Sequence, residues 1–429
     1  MKVLHVITGL GVGGAEQQLR LLLRHLPVEC EVVTLTNPGP VAEGLRADGV
    51  PVTHLEMKGN RDLAALPRLA RLVRRGGYDL VHTHLYRACV YGRIAARTAG
   101  VRAVVATEHS LGERYIEGRP LTRSTRELYL RTERLGSATV AVSATVADRL
   151  RGWGIPARRI HVVPNGIEVD TYRYDPLRRA ATRARLGLPE GAFVVGGVGR
   201  LVPGKRFDLL VRAVAGLPGV RLLLAGDGPE RASLAALAGQ LGVADRVRFL
   251  GECAAGDGTR GAERGPERGV ERGEERGVAG GAARDAGAPA DPTALTDPTA
   301  LTVPAALTVP AVLAALDVFV SASEEESFGL AVVEALAAGL PVLHAACPAV
   351  DDLPAALTPG AVRVESRADA LEAELRRQLD AGQRRLAPPP LVGHYDIVRS
   401  AAGLLGVYTR AVARAPARDR AFPSLNAIP

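Results

Sequence analysis

Two carboxylates eight residues apart, Glu326 and Glu334, frame the run Glu326-Ser327-Phe328-Gly329-Leu330-Ala331-Val332-Val333-Glu334. The apolar segment Val318-Phe319-Val320-Ser321 precedes it and Gly339-Leu340-Pro341 ends it, which reads as a strand, a tight polar turn and a helix. A helix N-terminus at Ser327–Leu330 offers unpaired backbone N–H groups to an anion. Glu326, at the mouth of the turn, can accept hydrogen bonds from sugar hydroxyls. Glu334, two turns deeper, can accept both hydroxyls of a ribose. A second strand-to-helix turn, Val198-Gly199-Arg200-Leu201-Val202-Pro203-Gly204-Lys205-Arg206-Phe207, carries two cations. Arg200 as a fork and Lys205 as a point charge can converge on one diphosphate, each contact worth about 1.5–3 kcal/mol. On a departing diphosphate this is leaving-group stabilisation without a metal. The plainer reading is two surface cations on a loop.

Near the N-terminus, Gly9-Leu10-Gly11-Val12-Gly13-Gly14 lets backbone approach a phosphate at a helix start. A dinucleotide site also needs an acid at the end of the second strand, but Glu31-Val32-Val33-Thr34-Leu35-Thr36 runs on into Asn-Pro-Gly, which argues against NAD. His109 follows the strand Ala103–Thr107 and belongs at the carboxyl end of a sheet, where ligands bind in folds of this class. His82 and His84 also end a strand and are expected to shape a cleft. The histidines show no metal-ligand spacing supported by carboxylates.

Together these motifs resemble the family-4 glycosyltransferases of the GT-B fold, over essentially all residues except an Ala254–Leu307 insert and the tail. The match is carried by the E-x7-E pair Glu326/Glu334, Arg200 and Lys205, Gly13–Glu16, Asp79–His84, Thr107-Glu108-His109, Pro164-Asn165-Gly166-Ile167 and Gly226-Asp227-Gly228-Pro229. The resemblance implies a retaining transfer from a nucleotide diphosphate sugar, with the donor on the C-terminal half and the acceptor on the N-terminal half. It implies neither an obligatory metal nor a cofactor, and the chain has no Asp-x-Asp. It places Gly13 and Gly14 over the donor diphosphate, with Arg200, Lys205 and Ser327, Phe328, Gly329 and Leu330 on the same group. Glu334 is then the ribose ligand, and Glu326 and His109 face the transferred sugar. A double displacement would require a carboxylate nucleophile about 5 Å from a second acid; the family is thought instead to use a front-face path. The chain departs from the pattern after Pro341, where Val342–Asp352 replaces a Gly-Gly or Ser-Gly. A nucleotide-sugar epimerase, a sugar phosphorylase or a non-catalytic carbohydrate-binding scaffold would use the same fold.

Positioning these residues requires two sheets. Strand-like runs alternate with helical stretches from Lys2 to His109, and the alternation restarts after Val162-Val163-Pro164-Asn165-Gly166. This pattern reads as two Rossmann-like, doubly wound parallel-sheet α/β domains facing a cleft. Residues 1–165 form the first and 166–390 the second, with a C-terminal helix at about 392–415 returning to the first and a flexible tail at 416–429. From 254 to 307, Glu-Arg-Gly repeats give way to near-copies of a Thr-Val-Pro-Ala-Ala-Leu hexamer, a composition expected to be disordered.

A length of 429 residues with 47% hydrophobic and 23% charged residues is that of a globular chain with material for two cores. Met1–Ile7 leads straight into the glycine loop and reads as a strand, not a signal peptide. The four cysteines (Cys30, Cys89, Cys253, Cys347) lack a C-x-x-C pair, which points to a reducing, cytoplasmic setting and away from zinc or disulfides. The net charge of +8 falls within residues 1–170, which hold 24 Lys+Arg and 16 Asp+Glu. That excess invites an acidic partner, either an anionic membrane surface or a phosphorylated acceptor, or is simply solvated helix faces; the acceptor itself is a small molecule, a glycan or a lipid-linked group. No nucleic-acid motif is present.

Overall fold

The computed structural model describes residues 1–59, 62–112, 115, 116, 119–256, 307–382 and 384–415. Most of the insert, 257–306, and the tail from 416 lie outside the described residues, so the disorder expected there is not addressed. The insert is narrower than the repeat composition suggests. Ala254 N donates to Leu307 O at 3.0 Å and Val309 N to Ala254 O at 2.8 Å, so both ends belong to the folded domain.

In chain order the strands are β1 Lys2–Gly9, β2 Glu29–Asn37, β3 Val52–His54, β4 Leu80–His84, β5 Ala103–Glu108, β6 Tyr115–Ile116, β7 Arg119–Pro120, β8 Ala138–Ala141 and β9 Ile160–Val162. They continue with β10 Val194–Val198, β11 Arg221–Ala225, β12 Val247–Gly251, β13 Val318–Ser321, β14 Val342–His344 and β15 Ala361–Arg363. Seven form a parallel sheet in the order β3-β2-β1-β4-β5-β8-β9, and six form a second, β12-β11-β10-β13-β14-β15. β6 and β7 make a separate antiparallel ribbon. Strands such as β4 and β5 are buried along their whole length, because helices cover both faces of a parallel sheet.

On one face of the first sheet, the helices Gly14–His25 and Ile397–Ala413 share an apolar cluster. The latter helix buries Ile397, Ala401, Leu404, Val407, Tyr408 and Ala411, the spacing of a single helical stripe. Another cluster runs without a break between the halves, from Leu111, Tyr129 and Val146 to Phe328, Val332 and Leu336. No helix among the described residues is long and apolar enough to cross a membrane.

The chain passes between the halves twice, and the two passages are bonded together. Ile167 N donates to Tyr395 O at 2.9 Å and Ile397 N to Ile167 O at 3.0 Å. Gly166 makes this approach feasible, since a Cβ there would lie 2.6 Å from Ile397 Cα. Gly166→Ala is therefore expected to lower stability by about 1–3 kcal/mol, the usual cost of overpacking. Urea unfolding would check this, and an unchanged midpoint would show that the two passages can separate freely.

Candidate active site

The turn before the second acid is built by its neighbours. Gly329 has φ +103° and caps the helix Leu330–Ala337; a Cβ at Gly329 would lie 2.4 Å from Cys347 Sγ. The helix starts at Leu330, within the N-terminus expected at Ser327–Leu330, and Ser327, Phe328 and Gly329 form the turn before it. Phe328 is buried edge-on to Tyr395 with centroids 4.9 Å apart, and its carbonyl accepts Ala349 N at 2.9 Å. The stretch that departs from Gly-Gly hence takes part in the turn. Cys347 N is held by the Asp351 carboxylate at 2.9 Å.

Around this turn the structure gathers the cationic loop and the first half of the chain. Lys205 Nζ pairs with Glu326, and Gly204 O accepts Glu324 N at 3.2 Å. From the other half, Arg149 donates to Leu111 O at 2.8 Å and Glu326 O at 3.4 Å, and pairs with Glu325 at 3.2 Å. Asp352 in turn accepts Thr145 N at 3.0 Å and Thr145 Oγ1 at 2.6 Å, so its charge meets the start of the helix Ala144–Gly152. Gly14 opens its helix against Leu330, whose Cδ1 would be 3.6 Å from a Gly14 Cβ; Gly13 is the cap before it. Arg200 is exposed on the facing loop. Burial pushes the Glu16 carboxyl up, and the Arg200 charge draws it partly back. Two helix starts and two cations therefore lie near one another. Deeper in, Glu334 accepts from Tyr172 OH at 3.0 Å. Burial pushes its carboxyl up to about 7, while the Tyr172 bond acts in the opposite direction.

His109 sits apart from this pairing, at the carboxyl end of β5, and among the described residues its hydrogen bond is to another histidine. Its Nε2 meets His84 Nδ1 at 3.1 Å, and His84 Nε2 meets His5 Nδ1 at 3.0 Å. His82 lies alongside, bonded to Tyr408 OH at 2.6 Å and Thr107 Oγ1 at 2.7 Å. Each nitrogen–nitrogen contact holds one hydrogen, so the chain of three rings polarises one way or the other. If His109 Nδ1 carries a hydrogen, His5 Nε2 is bare; if His5 Nε2 carries one, His109 Nδ1 is the bare acceptor. Both end atoms are buried, with no hydrogen-bond partner among the described residues. Ring nitrogens of His5, His82 and His84 fall within 4.8 Å of one another, a grouping that spacing along the chain does not show because His5 arrives from β1.

Arg149, Tyr172 and Tyr408 carry no motif signal; each acts through long-range packing. Glu108 turns away from its neighbour His109 and is buried against Tyr129 OH, Cys89 and the fully buried Arg93, a structural cluster.

Residues 12–171 match the profile described as Glycosyltransferase Family 4, and residues 178–257 and 302–387 match that of glycosyl transferases group 1. A D-inositol 3-phosphate glycosyltransferase of Mycobacteroides abscessus is 32% identical over 363 residues, covering 80% of this chain and 69% of that protein. The chain belongs to glycosyltransferase family 4. A second relative of the same description, from Mycolicibacterium smegmatis, is 32% identical over 269 residues, and the match spans 59% of its length. Among solved structures, Anabaena HepE in complex with UDP-glucose superposes with a TM-score of 0.74 at 21% identity, covering 96% of this chain and all of that one. Sucrose-phosphate synthase of Thermosynechococcus elongatus gives 0.69 at 19%, covering 97% and 100%. At these identities the likeness is one of fold, the GT-B arrangement.

In this glycosyltransferase the four clustered histidines make stability depend on pH. Burial pushes His109 down to about 4 and His5 to about 3, and drives His82 and His84 well below the ordinary value. The unfolded chain, with histidines near 6.5, takes up protons first as pH falls. Stability is thus full above about pH 6.5 and declines toward pH 4, by about 1.4 kcal/mol per pH unit for each histidine involved. Urea midpoints between about pH 7.5 and 5 would show this. A flat profile across that range would mean that the histidines are hydrated in solution.

Proposed function

We propose that this chain transfers a sugar from a nucleotide diphosphate donor to a hydroxyl acceptor, with retention and without a metal ion. The observation that carries this reading is the convergence of Lys205, paired with Glu326, and the Gly329–Leu330 helix start on Gly14, with Arg200 near enough to act on Glu16. Two cations and two sets of free amide N–H groups suit the charge that develops on a leaving diphosphate. The UDP-glucose complex of HepE supports a donor of this class.

Before the donor arrives, Lys205 and Glu326 occupy one another. A diphosphate draws Lys205 toward itself and releases the Glu326 carboxylate to accept hydrogen bonds from the sugar. Glu334 takes the ribose hydroxyls in place of Tyr172, and the chain of histidines ending at His109 presents a nitrogen to the transferred sugar. With Glu326 engaged in binding, the leaving phosphate oxygen takes the acceptor proton on the same face. The D-inositol 3-phosphate for which these relatives are named makes a phosphorylated cyclitol the first acceptor to try. Arg71 and Arg75 are exposed on the helix Ala65–Gly76, a surface where an anionic membrane could be met.

A thermal-shift and turnover screen of UDP-, GDP-, ADP- and dTDP-sugars tests the donor. Lys205→Ala is expected to weaken donor binding about 10- to 150-fold, the equivalent of one charge-assisted contact. Stabilisation by none of these donors would sink the proposal. Turnover that needs phosphate, or epimerised donor without acceptor, would redirect it to phosphorylase or epimerase chemistry.

Glu334 supplies a second check. Its carboxyl titrates at about 7 in the free protein, and ribose hydroxyls favour the ionised form. Donor affinity is expected to fall as pH drops below about 7, by at most about tenfold per unit, with proton release on binding. Calorimetry in buffers of different ionisation enthalpy measures that release, and Glu334→Gln should abolish it.

A further inference from the structure

The opposite end of the first sheet holds a second concentration of positive charge that the transfer reaction does not use. Arg102 precedes β5 and Ser137 precedes β8, whereas Gly13 and His109 follow the carboxyl ends of β1 and β5. From Arg102 to His109 the strand runs seven residues, about 23 Å at the usual rise. A cavity of about 230 Å³ opens there, lined by Arg97, Arg102, Ser137, His161, Arg410 and Arg414, with only apolar side chains completing the wall. Room for about seven waters is room for a two-phosphate anion.

Among the described residues, no carboxylate pairs with Arg97, Arg102, Arg410 or Arg414, while the neighbouring Arg159 is bound to Glu133 at 3.0 Å. Their crowding is felt by the groups between them. Burial lowers Arg97, and then Arg102 and Arg159 lower it further; burial lowers His161, and then Arg410 and Arg414 do the same. Two helices, Tyr86–Thr98 and Ile397–Ala413, end close by, and their C-termini favour cations. Each helix end carries about half a negative charge, so together they offset about one of the four arginines. Counted over the described residues, about three positive charges remain around the cavity.

We propose that this cavity binds a phosphate-bearing anion of at least two negative charges, at a site separate from the donor crevice. Guanidinium forks match phosphate oxygens in pairs, while the Ser137 hydroxyl between them is engaged, donating to Arg102 O at 2.9 Å and accepting from Val104 N at 3.2 Å. The same chemistry is offered by a free phosphorylated solute and by a phosphomonoester lipid headgroup.

The test uses the full chain carrying Arg200→Ala and Lys205→Ala, so that the donor crevice no longer competes for phosphate. Inorganic pyrophosphate is titrated by calorimetry and thermal shift at constant ionic strength against chloride. Vesicles of phosphatidylcholine with phosphatidic acid are compared with phosphatidylcholine alone by co-sedimentation. Saturable pyrophosphate binding, weakened at least about tenfold by adding Arg102→Gln and Arg410→Gln, supports a free solute. Sedimentation with phosphatidic acid that the same substitutions abolish supports the headgroup. If the double substitution lowers the melting temperature in chloride, Arg414→Gln on the exposed last turn serves for the same comparison. Binding to neither probe, or binding that the substitutions leave unchanged, overturns the proposal.

Discussion

The ion pair between Lys205 and Glu326 sets the terms for everything around it. Two opposite charges in a partly closed crevice lose hydration, and their attraction repays that loss only when the geometry is held and the remaining polar atoms are bonded. The structure supplies the holding from several directions. Gly204 O takes Glu324 N, Arg149 reaches from the other half to the Glu326 carbonyl and to Glu325, and Gly329 lets the turn pass close over Cys347. In the proposed transfer, a donor diphosphate would compete with the Glu326 carboxylate for the lysine.

What the sequence made legible is what lies close along the chain. The strand, turn and helix around Glu326 and Glu334, and the loop with Arg200 and Lys205, are local patterns whose hydrophobic periods and glycines dictate their shape. The two parallel sheets follow from the same alternation. The seat of the turn on Cys347 was not legible, because the close approach of Gly329 to that side chain is a tertiary contact. The inner limits of the insert were also hidden, since Ala254 and Leu307 look like linker until their backbones bond.

The histidine chain shows the other side of this. His5, His84 and His109 are spread over more than a hundred residues and become neighbours only because β1, β4 and β5 lie side by side in register. Strand order is a tertiary choice, and no spacing rule announces it. Tyr172 and Tyr408 are similar cases, as each reaches its partner from an element remote in sequence.

The double passage at Ile167 and Tyr395–Ile397 has a mechanical consequence. A single connecting strand would let the halves twist about it as well as bend. Two connections bonded side by side behave as a short ribbon, which flexes across its width and resists shear and torsion. Relative motion of the halves would thereby be steered along one arc, the one that carries Gly14 to and from its seat on Leu330.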